Sequence, residues 1–321
     1  MAVTAATKTS DFSGFIQPSI ASAIFERAAR SSVVQSLATR VPLAGNGTSI
    51  PFVTGRPTAG WVSEADTKPA SSGSMTLKAI EPKKLACILV VSSEVVRANP
   101  GGYMDAMRNS LAEAFAVAFD YAALHDAGPS GSAGGGPFST YIDQTTKSQE
   151  LGATAQASGG IYGDFVAALG AVVADTDASG RRYRVTGWAL DDVVEPVILG
   201  QTSTTGEPVF VERPMDETTA AARPGRLLGR PSFMGEGVAS PNQTDVVGYG
   251  GDWSQAAWGV VGGISYGVST EASVTINGSL VSAFEKNLVA IRAEAEYGFV
   301  VADPEAFVKL TNTNNSPSTS A

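Results

Sequence analysis

The stretch Gly60–Val96 constrains the fold of this chain more than any other segment, because it has the pattern of a long two-stranded flap without a core of its own. Trp61 leads this stretch, and a polar tip rich in Ser and Gly lies between Glu64 and Ser74. The return strand alternates apolar residues with others, at Leu85, Cys87, Leu89 and Val91. That period is typical of a half-buried strand, and a ribbon of two strands is marginally stable alone in water. The sequence therefore predicts a flap that needs another surface to lie on.

A long amphipathic helix follows the flap, between Tyr103 and about His125. Its apolar residues recur at intervals of three and four, at Met104, Met107, Leu111, Ala114, Phe115, Ala118 and Ala122. Gly128-Pro129 marks its end. At a rise of 1.5 Å per residue it forms a rod of roughly 35 Å. Ser92 is the predicted N-cap of a shorter helix between the flap and the rod.

The remaining segments mix helices and strands, which predicts the α+β class. Helices are expected after Pro18, at Tyr162–Asp175 and from the cap Asp191 to Leu199; strands are expected at Thr48–Val53, Tyr183–Leu190, Gly251–Ala272 and Phe284–Leu310, the last one broken by Asp303-Pro304. The first 18 residues and the tail Thr311–Ala321 are polar and small, so both are expected to lack structure of their own.

The charge argues against a nucleic-acid-binding domain. The 22 Lys and Arg residues stand against 31 Asp and Glu residues, which gives a net charge of −9 and a pI near 4.7. Proteins that bind nucleic acid neutralise phosphates with clustered basic residues, and this sequence has no such cluster. A container for DNA remains open, since an acidic wall repels the duplex and does not trap it.

The sequence gives little support to catalysis, to a metal site or to a cofactor. His125 is the only histidine and Cys87 the only cysteine, and they lie far apart on elements of structural type. We interpret His125 as an ordinary cation near a helix C-terminus, and Cys87 as a small buried hydrophobe. Asp191, Asp192 and Glu195 are acidic residues in the first turn of a helix, where the helix dipole favours them. The chain is therefore predicted not to be an enzyme.

The sequence also indicates a protein that is made inside the cell and does not enter a membrane. Apolar runs stay below the ~18 residues that cross a bilayer, and Met1 is not followed by a signal-peptide pattern.

Several short motifs occur in an order that resembles a known family. They are Trp61-Val62-x-Glu64, Lys84-Leu85-Ala86, Val91-Ser92-x-Glu94, Leu228-Gly229-x-Pro231, Gly251-Asp252-Trp253, Phe284-x-x-Asn287 with Arg292-x-Glu294, and Ala306-Phe307. Each motif is weak alone, but their common order along the chain is hard to explain by chance. Together with the flap and the rod, they resemble the tailed-bacteriophage major capsid proteins of the Hong Kong 97-type shell fold.

The resemblance implies a particular division of the chain. It comprises an N-terminal arm with a helix (1–47), an extended β-hairpin loop (48–92), a peripheral domain with a long spine helix (93–160), a mainly axial domain (161–272), strands that return to the peripheral domain (273–310) and a disordered tail (311–321). Glycine-rich strands such as Trp258–Gly267 are expected in the axial domain. The chain enters its arm almost at Met1, so the N-terminal scaffolding segment of many relatives is expected to be missing.

The function implied by the resemblance is self-assembly. Such subunits form pentamers and hexamers of an icosahedral phage head, which encloses double-stranded DNA without sequence-specific binding. The implied location is the virion, with the host cytoplasm during assembly. A separate scaffolding protein, a portal and decoration proteins are possible partners. Trp61, Glu64, Lys68 and Trp253 are the candidate contacts between subunits.

The resemblance also implies a candidate for an autocatalytic crosslink. In some relatives a lysine of the extended loop bonds covalently to an asparagine of a neighbouring subunit, with a glutamate as the base. Lys68, Asn287 and Glu294 match those three residues. On one extended strand Asn287 and Glu294 lie about 23 Å apart, so the glutamate would act on another subunit's bond. The simpler interpretation is that all three make ordinary polar contacts.

Two other functions remain open at this point. An encapsulin, a bacterial nanocompartment shell that holds a cargo enzyme, has the same fold. A secreted β-rich binding module is a different class of protein, but the long helix Tyr103–His125 and the lack of a signal peptide argue against it.

Overall fold

The structure is a computed structural model. It describes residues 32–312, apart from residues 56, 65, 100–101, 130, 133, 178–179, 201–222, 240–244 and 277. The predicted N-terminal arm, most of the helix that follows Pro18 and the tail after residue 312 lie outside the described residues.

The helices follow the local signals of the sequence closely. They are α1 (Val33–Leu37), α2 (Ser93–Ala98), α3 (Tyr103–His125), α4 (Gly160–Val173) and α5 (Glu195–Leu199). Ser92 caps α2 by accepting from the N–H of Val95 at 3.4 Å, and Asn99 ends it in the left-handed conformation. The bounds of the spine helix α3 are those predicted from its apolar spacing.

The strands form four sheets within the described residues. The strands are β1 (Thr39–Arg40), β2 (Thr48–Gly55), β3 (Ser74–Ile80), β4 (Lys83–Ser92), β5 (Ser148–Glu150), β6 (Gly187–Leu190), β7 (Arg223–Leu227), β8 (Arg230–Met234), β9 (Val246–Gly251), β10 (Ala256–Ser269), β11 (Ser273–Ile276), β12 (Ser279–Ser282), β13 (Leu288–Val301) and β14 (Phe307–Thr311). Their order is β1-β10-β13-β4 in one sheet and β5-β14-β9-β6-β8-β7 in another, and β2-β3 and β11-β12 are separate pairs.

The spine helix packs on the four-stranded sheet. The ring of Phe119, at the centre of the contact, lies 5.2 Å from that of Tyr297 on β13 and 6.2 Å from that of Trp258 on β10. Phe115, Ala118 and Ala122, three of the predicted apolar positions of α3, are buried with it. The predicted position Ala114 is exposed instead, so the buried stripe runs through Phe119.

The six-stranded sheet packs against α4 and contributes further residues to the core. Phe165 on α4 meets Trp188 on β6 edge to face at 5.5 Å, and both side chains are completely buried. The predicted long strand crosses between the two sheets, because β13 belongs to the first and β14 to the second. It breaks at Asp303-Pro304 as predicted, where a short 3₁₀ turn lies.

Two features of the sheets differ from the predicted division. The return strand of the flap does not pair within the flap, because β4 is antiparallel to β13 along its whole length. The ribbon consists of β2 and β3 instead, joined by residues 56–73. The strand Trp258–Gly267, expected in the axial domain, is part of β10, which pairs with β13. Alternation predicts that a strand is half-buried, but it does not select the partner strand.

No helix in the described part of the chain is long and apolar enough to cross a membrane.

Candidate assembly surfaces

The β2–β3 ribbon presents an apolar face that no part of the chain described by the structure covers. Pro51 pairs with Leu77 and Val53 with Met75, so these four side chains share one face. The exposed fractions are 69% for Leu77, 65% for Met75 and 55% for Val53. Large apolar side chains clustered in this way mark interaction sites on soluble proteins.

The opposite face holds the base of the ribbon to the subunit. Ile80 is buried with Ala257 and Val300, and Ile50 packs against this cluster. The ammonium group of Lys78 donates to the backbone carbonyl of Ala302 at 2.6 Å and to that of Val301 at 3.3 Å. The ribbon is therefore anchored at one end, and its outer face remains available to a partner.

The loop at the end of the ribbon carries the predicted contact residues Trp61, Glu64 and Lys68. All three are exposed, and the relative exposure of Trp61 is 106%. An indole in that position is in contact with water on every side. Burying a large aromatic side chain is strongly favourable, so this loop is suited to a partner surface.

Trp253 does not share this exposure, which corrects its prediction as a contact between subunits. Its side chain is 2% exposed and meets the ring of Phe307 edge to face at 5.2 Å. The indole N–H donates to the carbonyl of Gly187 at 3.0 Å. The short turn from Gly251 directs the residue inward, where it joins β6 to β14. Trp253 belongs to the core of the subunit.

The crosslink candidates lie on different elements of the subunit. Asn287 precedes β13, and its side-chain amide donates to the Glu94 carboxylate at 2.5 Å. Glu294 lies within β13, where its carboxylate is 3.4 Å from the guanidinium of Arg292. Lys68 is in the exposed loop. Within one subunit, Asn287 and Glu294 thus have separate polar partners.

His125, interpreted from the sequence as an ordinary cation near a helix C-terminus, is part of a buried polar chain. Its Nε2–H donates to the carbonyl of Val238 at 2.6 Å, and its Nδ1 lies 3.1 Å from the hydroxyl of Tyr249. That hydroxyl donates to Asp143 at 3.0 Å, and Lys309 forms an ion pair with Asp143 at 2.6 Å. Burial, together with Asp143, raises the pKa of Tyr249. The chain links the end of the spine helix to β9 and β14.

The other titratable candidates have structural roles. Asp191 caps the turn before α5 by accepting from the N–H of Val193 at 2.9 Å, as predicted. Burial raises the pKa of its carboxyl and also that of the half-buried Cys87 thiol. Within the described ranges no three His, Cys, Asp or Glu side chains are grouped to hold a metal ion.

The outer face of the ribbon is a candidate interaction surface that the sequence motifs did not point to. Its signal is the alternation of Pro51 and Val53 in one strand and of Met75 and Leu77 in the other. Both runs have the pattern of half-buried strands, so their apolar side needs a covering surface. That requirement could have indicated an interface.

Comparison with known proteins identifies the relatives of this chain. The model of the phage capsid family matches residues 13–312. The probable major capsid protein gp17 of Mycobacterium phage D29 is 39% identical over 94% of this chain and 91% of its own length. Its counterpart in Mycobacterium phage L5 is 39% identical over 97% of this chain and 93% of its own length. A solved structure from Gordonia phage Cozz superposes with a TM-score of 0.72 at 23% identity, over 95% of this chain and 93% of that one.

These findings confirm the predicted α+β fold of the Hong Kong 97 type and the function of a phage major capsid protein. Nothing in them favours the encapsulin alternative. The family is a structural one, so the prediction that the chain is not an enzyme agrees with it. With a family match over 300 residues and relatives at 39% identity, the chain belongs to the phage capsid family.

Proposed function

We propose that this capsid protein assembles into pentamers and hexamers that close an icosahedral head around double-stranded DNA, and that the β2–β3 ribbon of each subunit lies on a neighbouring subunit. The observation that carries the proposal is the exposed apolar face of Pro51, Val53, Met75 and Leu77. Burial of one Leu or Met side chain contributes about 1.5–3 kcal/mol. Repeated around a closed shell, this contact stabilises every subunit.

The charge supports a wall that holds DNA without binding it tightly. At a net charge of −9 the subunit repels the packed duplex and does not compete for its phosphates. The head would assemble in the host cytoplasm. A portal, a scaffolding protein and decoration proteins are its proposed further partners.

The test uses paired charge substitutions on the two faces of one strand. Leu77→Asp places a carboxylate on the outer face, and Thr76→Asp places the same group on the opposite face, at a position that is also exposed. We expect wild-type protein and Thr76→Asp to form shells or capsomers in electron micrographs and in analytical ultracentrifugation. Leu77→Asp should remain as dispersed, folded subunits.

The proposal has two distinct points of failure. A sharp monomer peak of the wild-type protein at high concentration would overturn assembly itself. Normal shells of Leu77→Asp would overturn the role of the ribbon face alone. Circular dichroism of each variant confirms that the subunit is folded.

A further inference from the structure

A cavity of about 230 Å³ lies between the spine helix, the edge strand β4 and the glycine-rich connector that follows the helix. Its walls include Phe119 and Ala122 of α3, Tyr297 of β13 and Phe138 of the connector. These four side chains are all buried. A cavity of about 150 Å³ with apolar walls already holds a benzene-sized ring, so this one has room for an indole.

The mouth of the cavity is exposed and holds two lysines, each beside a glutamate. Pro129, Gly135 and Pro137 of the connector line it on one side and are exposed to solvent. Lys83 and Lys84 line it on the other, with side chains that are 40% and 57% exposed. Lys83 pairs with Glu81 at 2.9 Å and Lys84 with Glu296 at 3.8 Å, and both lysine side chains remain partly exposed, so either lysine can also meet an incoming carboxylate. The cavity thus suits an aromatic group that carries acidic groups beside it.

The loop at the end of the ribbon has that composition. Trp61 is fully exposed in its own subunit, and Glu64 and Asp66 follow it within five residues. Both carboxylate side chains are exposed. An aromatic ring that enters a desolvated pocket, with charged groups at its rim, is the usual form of an energetic hot spot between proteins.

We propose that Trp61 of one subunit inserts into the cavity of a second copy of this chain, with Glu64 and Asp66 facing Lys83 and Lys84. The inference rests on the proposed function, because it needs neighbouring subunits. It specifies where the loop binds: against the spine helix, below the glycine-rich connector. The connector forms the rim, and its glycines allow close approach of the incoming loop.

Tryptophan fluorescence provides the first test. The other tryptophans, Trp188, Trp253 and Trp258, are buried within the subunit, so assembly leaves their surroundings largely unchanged. We expect the difference spectrum between wild-type protein and Trp61→Phe to shift to shorter wavelength when capsomers or shells form. If this spectrum keeps the maximum of a solvent-exposed indole in assembled particles, the proposal is overturned.

Disulfide trapping locates the partner site. In a Cys87→Ala background, Val62→Cys places a thiol next to Trp61, and Pro137→Cys places one at the mouth of the cavity. We expect this pair to give dimers and higher multimers on non-reducing denaturing gels of assembled particles. The control pair is Val62→Cys with Leu280→Cys, since Leu280 is 76% exposed on the β11–β12 hairpin away from the cavity. It should remain monomeric.

Filling the cavity gives an independent readout. Ala122→Leu adds three carbons inside it, and Ala114→Leu adds the same atoms at an exposed position of the same helix. We expect assembly to be impaired by the first variant and unaffected by the second, with both subunits folded by circular dichroism.

The outcomes distinguish a failure of the cavity as the binding site from a failure of the proposed function. Shells that form without the Val62–Pro137 crosslink would overturn the cavity as the binding site and leave the ribbon-mediated assembly intact. If wild-type protein forms no assemblies at all, the proposed function itself fails. Blue-shifted Trp61 emission in dispersed monomers would show that the loop folds onto its own subunit, which also overturns the proposal.

Discussion

The backbone N–H of Val33 donates to the Asp120 carboxylate at 2.8 Å, across 87 positions of the sequence. The Ser32 hydroxyl donates to the same carboxylate, and so does the N–H of Val34 at 3.3 Å. The first N–H groups of a helix have no partner within it, so Asp120 caps α1 from the middle of the spine helix. Val33 and Val34 are completely buried. This contact holds α1 against the core.

The pH dependence of stability should report this contact. Burial raises the pKa of Asp120 from 3.8 to about 7, although the hydrogen bonds from Ser32, Val33 and Val34 oppose that shift. The folded subunit therefore retains a proton that the unfolded chain releases near pH 4. The resulting stabilisation is fully present below about pH 4 and is lost as the pH rises through about 7.

We predict that Asp120→Asn removes this pH-dependent part of the stability. The variant should unfold at lower urea concentration than wild-type protein, because the amide N–H₂ faces other donors. Its free energy of unfolding should also fall less between pH 4 and pH 7. Urea titrations of dispersed subunits at four pH values measure both effects. Equal pH dependence in the two proteins would contradict the prediction.

Gly298 provides a second prediction, on the anchor of the ribbon. A Cβ atom at this position would lie 2.3 Å from Cγ2 of Ile80 and 2.8 Å from Cδ2 of Leu43. We expect Gly298→Ala to destabilise the subunit by about 1–3 kcal/mol, since overpacking forces these side chains apart. Protease cleavage of the ribbon should become faster.

The matched control is Gly170→Ala. A Cβ atom there meets nothing within 4 Å, and the residue is exposed within α4. Alanine should stabilise the helix by about 0.5–1 kcal/mol. Thermal unfolding of the two variants beside wild-type protein decides the sign of each change. A neutral Gly298→Ala would show that the ribbon base is loosely packed.

Local signals made much of the fold predictable. Ser92 and Asp191 are caps, and their function depends on N–H groups two or three residues away. The spine helix is defined by the spacing of its own apolar residues. The break at Asp303-Pro304 follows from the fixed backbone angle of proline. Each of these features depends on a few neighbouring residues, so the sequence contains the whole signal.

Long-range contacts account for what could not be predicted. Nothing near Asp120 marks it as the partner of Ser32, 88 residues earlier. The sequence alone gives no sign that Trp253 is buried, because its burial depends on Phe307 and Gly187, which lie on two distant strands. The proposed contact between subunits also has one side that the sequence reveals and one side that it does not. Trp61 stands out in the sequence, whereas the cavity that we propose for it combines β4, α3 with the connector that follows it, and β13.

A third prediction concerns the loop itself. Deleting residues 65–74 removes the polar part of the loop and the first residue of β3. We expect the subunit to stay folded, because the core does not include this segment, and shell formation to stop. Circular dichroism and electron microscopy of the same preparation measure the two effects. Loss of the fold would show that the loop supports the subunit, contrary to the proposed architecture.

The last prediction concerns a covalent bond between Lys68 and Asn287 with Glu294 as the base. In this reaction the Lys68 amine would replace the side-chain NH₂ of Asn287, which leaves as ammonia, and the attack needs a deprotonated lysine and an accessible amide carbon. The Asn287 amide already donates to Glu94 at 2.5 Å, and Glu294 faces Arg292 at 3.4 Å. Formation of the bond would require the neighbouring loop to break both contacts. The ordinary polar roles of these residues need no such rearrangement.

We therefore expect mature particles to give a single band near the monomer mass on denaturing gels. Lys68→Ala should leave that band unchanged, and Asn287→Ala should lower stability slightly through the lost hydrogen bond to Glu94. A covalent crosslink would give a different gel pattern. A ladder of multimers that survives reduction and vanishes in both Lys68→Ala and Glu294→Ala would establish the crosslink, because only the covalent reaction needs the amine and the base together.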